Sequence, residues 1–167
     1  KVKVKGKAIF QLTFNLTPFY PEGGGQVGDI GVIKNDREII NIKDTKKENG
    51  EIIHFTDKLP SDLTVDFFAN VNVENRSYSA KNHSATHLLH FALRTILGEH
   101  VEQKGSLVNA EYLRFDFSHF SKVSKQEIEK VEQMVNNEIR KSISLVEKRG
   151  IPLKEAKASG AMMLFGE

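Results

Sequence analysis

One change of hydrophobic period divides this chain. In the first part Val2, Val4, Ala8, Phe10, Leu12, Phe14 and Leu16 fall on even positions, the period-2 signature of half-buried strands. Gly6 interrupts that register at a place suited to a bulge. Further strands fit residues 27–34, 38–43, 51–55 and 65–73, separated by the turn-prone stretches Asn35-Asp36, 46–50 and 60–62. Short strands at such close spacing predict a small β-barrel. From about Ala80 to Leu97 the period becomes helical: Ala85, Leu88, Leu89, Ala92, Leu93 and Ile96 form one stripe, and Gly98 supplies a stop. Two strand-like pieces follow at 103–108 and 111–118. Ser124 followed by Glu127 is a capping-box signature, opening a helix with the stripe Ile128, Val131, Val135 and Ile139. Residues 143–148 fit a strand, and Pro152 suits the first position of a short final helix ending near Gly160. The expected class is α+β: a small β-barrel over residues 1–75, then an α+β domain over 76–167, with the boundary at 74–79.

Bulk properties narrow the class. The chain has 167 residues, 39% hydrophobic and 28% charged, an ordinary globular composition. No apolar run approaches the ~20 residues of a membrane span, so no membrane partner is expected, and no signal peptide is visible. The absence of cysteine excludes disulfides and fits a cytoplasmic setting. A net charge of +2 is too small to announce a nucleic-acid binder. Lysines alternate at positions 3, 5 and 7, and Arg140, Lys141, Lys148, Arg149, Lys154 and Lys157 gather towards the end. The chain opens on Lys1 rather than Met, already strand-like, and stops just after the apolar run 161–165. Those ends read as cuts in a longer protein.

Two stretches carry chemistry. In the run from Asn82 to His90, His83 and His87 stand four residues apart, so on a helix they share one face and can ligate one zinc ion. Zinc needs at least three protein ligands, so a third must be another histidine, a carboxylate or a group outside the chain. His90 reads as structural, and His54, His100 and His119 as ordinary surface or partly buried histidines. The second stretch runs from Thr17 to Gly31 and contains Gly23-Gly24-Gly25-Gln26. Consecutive glycines permit positive φ and close approach of a ligand to the backbone. No Gly-Lys-Ser/Thr follows, so this is not a Walker loop.

The blocks Thr17-Pro18-Phe19-Tyr20 with Gly24-Gly25-Gln26 and Gly28-Asp29, then 82–90, 103–108, 113–119 and 160–167, occur in an order that resembles the editing domain of alanyl-tRNA synthetase. The histidine region is also similar to free-standing alanyl-tRNA editing proteins and to the second N-terminal domain of threonyl-tRNA synthetase. The resemblance covers nearly the whole chain. It implies a small β-barrel joined to an α+β domain of the threonyl/alanyl-tRNA synthetase common type. It implies a zinc site built from a His-x3-His helix, matched by His83 and His87, and a later Cys-x3-His pair expected beyond Glu167. The implied activity is hydrolysis of mischarged Ser-tRNA(Ala) and Gly-tRNA(Ala), with the tRNA acceptor end and the remaining domains of the parent synthetase as partners. ATP and Mg²⁺ belong to the parent's catalytic domain, where alanine is ligated to tRNA(Ala). Within that reading Gln26 orients the reacting ester and Thr17 hydrogen-bonds a serine side chain. Gly23, Gly24 and Gly25 admit the substrate, and Lys104 and Arg114 contact tRNA phosphates. Two alternatives stand beside it: a free-standing trans-editing deacylase, and a non-catalytic module that binds the tRNA acceptor end.

Overall fold

The computed structural model describes residues 2–4, 7–144, 146–147 and 150–159; Gly6, Gly160 and the apolar run 161–165 lie outside them. The chain divides into two compact units, one made of residues 1–86 and 105–115, the other of residues 87–104 and 116–167.

Among the described residues seven strands lie wholly in the first unit: β1 (Val2–Val4), β2 (Lys7–Leu12), β3 (Gly31–Lys34), β4 (Ile39–Ile42), β5 (Asp44–Glu48), β6 (Glu51–Thr56) and β7 (Phe68–Val71). They form an antiparallel sheet of order β1-β2-β6-β5 and a second of order β4-β3-β7. Alternation along β4 places Ile40 and Ile42 inside and Ile39 and Asn41 outside. Ile33, Ile40, Ile42, Leu12 and Phe19 make the core of this unit, with Phe14, Phe67, Ala69 and Val71 packed against it. Each fully buried isoleucine contributes about 1.5–3 kcal/mol over its exposed state.

The expected small β-barrel is not formed. Among the described residues the sheets are three and all open: these two, and the pair β8 (Gln103–Val108) with β9 (Leu113–Phe117). The physical reason lies at Lys43. There the chain leaves one sheet for the other, β4 pairing with β3 and β5 with β6, so no continuous ladder closes and β1, β4, β5 and β7 remain edges. Period 2 shows only that one face of each strand is buried, and facing sheets and closed barrels both satisfy it. The α+β class itself stands.

β5 occupies residues expected to be turn. Glu48 pairs with Glu51 across Asn49 (φ 52°) and Gly50 (φ 87°), so a two-residue turn with both central φ positive suffices. Thr45 is buried on this strand while its neighbours are lysine and aspartate.

α1 (Val73–Leu97) begins earlier than its apolar stripe, and residues of it belong to both units. Asn72 caps it, its Oδ1 accepting from Asn75 N at 3.0 Å. The first turns are tied down by charge rather than by packing. Arg76 donates from Nε to Oδ2 of Asp29 at 2.9 Å, from Nη2 to the same oxygen, and to the carbonyl of Pro18 at 2.6 Å. Asp29 is 4% exposed and also accepts from Tyr20 N.

In the second unit α2 (Lys125–Arg140) opens with the expected capping box. Ser124 Oγ accepts from Glu127 N at 3.3 Å, and the Glu127 carboxylate accepts from Ser124 N at 2.8 Å. Val131 is buried and Ile128 and Ile139 are about half exposed. α3 (Leu153–Ala158) directly follows Pro152, whose carbonyl accepts from Glu155 N and Ala156 N. No strand forms at 143–144 or 146–147. Among the described residues no helix is long and apolar enough to cross a membrane.

Candidate functional site

The glycine stretch is a turn docked on a strand. Gly23 N donates to Gln26 O at 3.1 Å, and Gln26 N to Gly23 O at 2.9 Å. Between them Gly24 (φ 57°) and Gly25 (φ 81°) both lie in the left-handed region, where a side chain is strained. Gly25 has a second requirement: an added Cβ would stand 2.8 Å from the Cβ of Ser106. Val108 N donates to Gly25 O at 2.7 Å and Val27 N to Val108 O at 3.0 Å. These bonds lay the loop along the end of β8 and fix the Gln26 backbone.

The Gln26 side chain is 8% exposed. Its Oε1 lies 3.0 Å from Nδ1 of His83 on α1, 57 residues away in sequence. A carbonyl oxygen only accepts, so Nδ1 carries the proton and the lone pair of the neutral ring sits on Nε2. The bond therefore sets the tautomer of His83 and leaves the Gln26 amide with its NH2 donors. The helix places His83 there because Asn82, beside it, donates to Asn109 O at 2.8 Å, and Thr86 closes the turn on Asn82 O.

His87 lies one turn further along α1 and is exposed. Two imidazoles at this spacing, one with Nδ1 held by an acceptor, suit two positions of a zinc site. Among the described residues no group of three or more His, Cys, Asp or Glu is placed to hold a metal. These residues therefore do not by themselves fit a resident zinc ion. His90 is buried on the same helix, and burial pushes its imidazole below the ordinary histidine value.

Thr17 pairs with a histidine rather than with Gln26 or His83. Its Oγ1 lies 2.7 Å from Nε2 of His54 and accepts from Phe19 N at 3.2 Å. His54, on β6, is not a surface histidine: it is 0% exposed, its Nδ1 is 3.2 Å from Leu12 O, and the rings of Phe14 and Phe19 meet it edge-on at 4.8 and 5.4 Å. Burial pushes its pKa down.

Lys104, exposed on β8, pairs with Glu102 at 2.9 Å; Arg114 is exposed on β9. Three residues have no role in the sequence reading. His54 has no local signal, because its partners Leu12 and Thr17 are 42 and 37 residues away. Asp29 lies inside the glycine block and orders the backbone at Tyr20. Ser106 sits against Gly25 with its Oγ buried and, among the described residues, without a hydrogen-bond partner.

Comparison with known proteins adds a family context. Residues 2–77 match the family described as tRNA synthetases class II (A). The whole chain aligns with alanine–tRNA ligases at 58% identity for Christiangramia forsetii, 56% for Cytophaga hutchinsonii and 54% for Bacteroides fragilis. It spans 19% of the length of each of these curated relatives.

Proposed function

We propose that this chain carries an alanine–tRNA ligase family domain and that the domain is a hydrolytic editing site that removes serine and glycine from mischarged tRNA(Ala). The observation that carries the reading is the bond between Gln26 and His83. A nearly buried amide, on a turn that only glycine makes comfortably, is locked by an imidazole from a distant helix. Such rigid donors suit a reaction in which charge develops on an oxygen.

In the proposed reaction water adds to the carbonyl carbon of the aminoacyl ester. The bond to the ribose oxygen breaks, the amino acid leaves as its acid, and the ribose oxygen regains a proton. His83 fixes Gln26 so that the amide NH2 donates to the ester oxygen as it becomes negative. Gly23, Gly24 and Gly25 bring backbone rather than side chains to the ester. Thr17 meets the side chain of a misplaced serine. His83 and His87 would supply two of the ligands of a zinc ion whose other ligands come from outside the described residues. Lys104 and Arg114 would meet phosphates of the acceptor end, giving salt-dependent binding; Lys104 would exchange its pairing with Glu102 to do so. In the whole enzyme, ligation of alanine with ATP and Mg²⁺ belongs to another domain.

A second sieve of this kind is chemically reasonable. Rejecting a side chain slightly larger than alanine by size is worth only about 1–3 kcal/mol, and the smaller glycine cannot be rejected by size at all. The test is deacylation of Ser-tRNA(Ala) and alanine charging, measured side by side on the whole enzyme. With Gln26→Ala, deacylation should fall ~10²–10³-fold, the usual cost of one oriented donor, while charging stays near wild type. Equal losses in both activities would mean that the substitution acts through folding and would end the editing reading.

A further inference from the structure

The hydrogen bonds around Thr17 give its hydroxyl a direction. His54 Nδ1 lies 3.2 Å from the Leu12 carbonyl, which can only accept, so that nitrogen carries the proton. A neutral imidazole has one N–H and one lone pair; the lone pair is then on Nε2. The 2.7 Å contact between Nε2 and Thr17 Oγ1 is therefore the threonine hydroxyl donating to the ring. One lone pair of the hydroxyl oxygen is taken by Phe19 N at 3.2 Å, and one remains. Nothing in this arrangement lets Thr17 offer a proton to a ligand.

We propose that His54 is a positioning residue that makes the Thr17 hydroxyl an obligate hydrogen-bond acceptor, so that the site selects an aminoacyl group bearing a side-chain hydroxyl over alanine, which has no donor to give. The inference rests on the editing reading above and deepens it. The neutral ring is what the surroundings favour: His54 is fully buried between Phe14 and Phe19, where a charged imidazole would lose its hydration. A protonated ring would offer a proton from Nε2 and turn the hydroxyl outward as a donor. Serine brings a donor to the remaining lone pair. Alanine leaves that lone pair unpaired, and a site built to pair a hydroxyl discriminates better than size. Glycine takes no part in this contact and is hydrolysed without it.

The experiment compares kcat/KM for Ser-tRNA(Ala) and Gly-tRNA(Ala) with the whole enzyme. His54→Phe keeps an aromatic ring but removes the acceptor. It should lower the serine reaction by about tenfold or more, the worth of one hydrogen bond, while the glycine reaction moves by no more than about twofold. Thr17→Val should give the same loss, and the double variant no further loss, since the two residues act as one unit. His54→Gln, whose amide oxygen can accept in place of Nε2, should restore much of the serine preference. Wild-type enzyme that hydrolyses both tRNAs, with a His54→Phe variant losing both equally, would overturn this inference and leave the editing reading standing. Wild-type enzyme active on neither would remove both. The imidazole ¹⁵N spectrum of unsubstituted protein is a check independent of any variant: His54 should be the Nδ1–H tautomer, and finding the proton on Nε2 would overturn the assignment.

Discussion

Gln26 and Gly25 show how backbone geometry is converted into side-chain placement. Gln26 does not reach His83 because of its own preferences. It does so because two positive-φ residues before it reverse the chain and because Val108 grips the loop from both sides. Gly25→Ala is therefore the sharpest probe of the loop. The substitution forces a side chain into φ 81° and pushes its Cβ to within 2.8 Å of Ser106. Left-handed strain for a non-glycine residue costs about 1–2 kcal/mol before any clash is counted, so the unfolding free energy should fall by that amount or more, seen as a lower urea midpoint. The relief of strain moves Gln26, so deacylation should fall along with stability. A Gly25→Ala protein as stable and as active as wild type would mean that the turn is not needed as it stands.

The helices differ in what begins them, and that decides which were legible. α2 announces itself because its start is local: Ser124 and Glu127 are three residues apart and satisfy each other's backbone. α1 hides its first two turns. Residues 73–79 carry no apolar stripe, and the helix is held there by Asn72 and by Arg76 reaching Asp29, 47 residues back. Asn72→Ala and Ser124→Ala should each cost about 0.5–2 kcal/mol, as lost N-caps do. Urea unfolding would show this as a lower midpoint with an unchanged slope; a slope change would instead mean that the two-state description fails. The same contrast governs the strands. β2 and β4 follow their alternation, whereas β5 was obscured because Lys46 and Lys47 read as turn and only Thr45 points inward. Sheet closure was not legible at all, since alternation reports which face is buried and not which strand lies beyond the last one. For the site, the glycines, Gln26, His83 and His87 stood out as residue types at suggestive spacing. That Gln26 bonds His83, and that Thr17 bonds His54, depends on chain crossings 57 and 37 residues long, for which no local pattern exists.

Each unit of the molecule encloses one buried imidazole, His54 in the first and His90 in the second. For both, burial is the largest cause of a pKa below the ordinary value of 6.5; for His90 the nearby Arg94 and His87 add to it in the same direction. The consequence for stability has a definite sign. The unfolded chain takes up protons near the ordinary value, while the folded chain resists until a lower pH. Above the ordinary value both states hold neutral rings, and the contribution of these two sites is complete. As the pH falls below it, the unfolded state binds protons that the folded state refuses, and the contribution is progressively lost until the folded pKa is passed. Carboxylates cannot mimic this, because those whose pKa is shifted, Glu38 (to about 2), Asp62, Glu102 and Glu127, are all shifted downward and titrate well below the histidine range. The protein should therefore lose stability as the pH falls from about 7.5 through the ordinary histidine value, seen as a falling urea midpoint. Over the same range proton NMR of the folded state should show the His54 and His90 rings keeping the shifts of neutral imidazole. If His54 and His90 instead titrate near the ordinary value while the protein stays folded, their burial does not disfavour the charged ring, and the acid sensitivity must arise elsewhere.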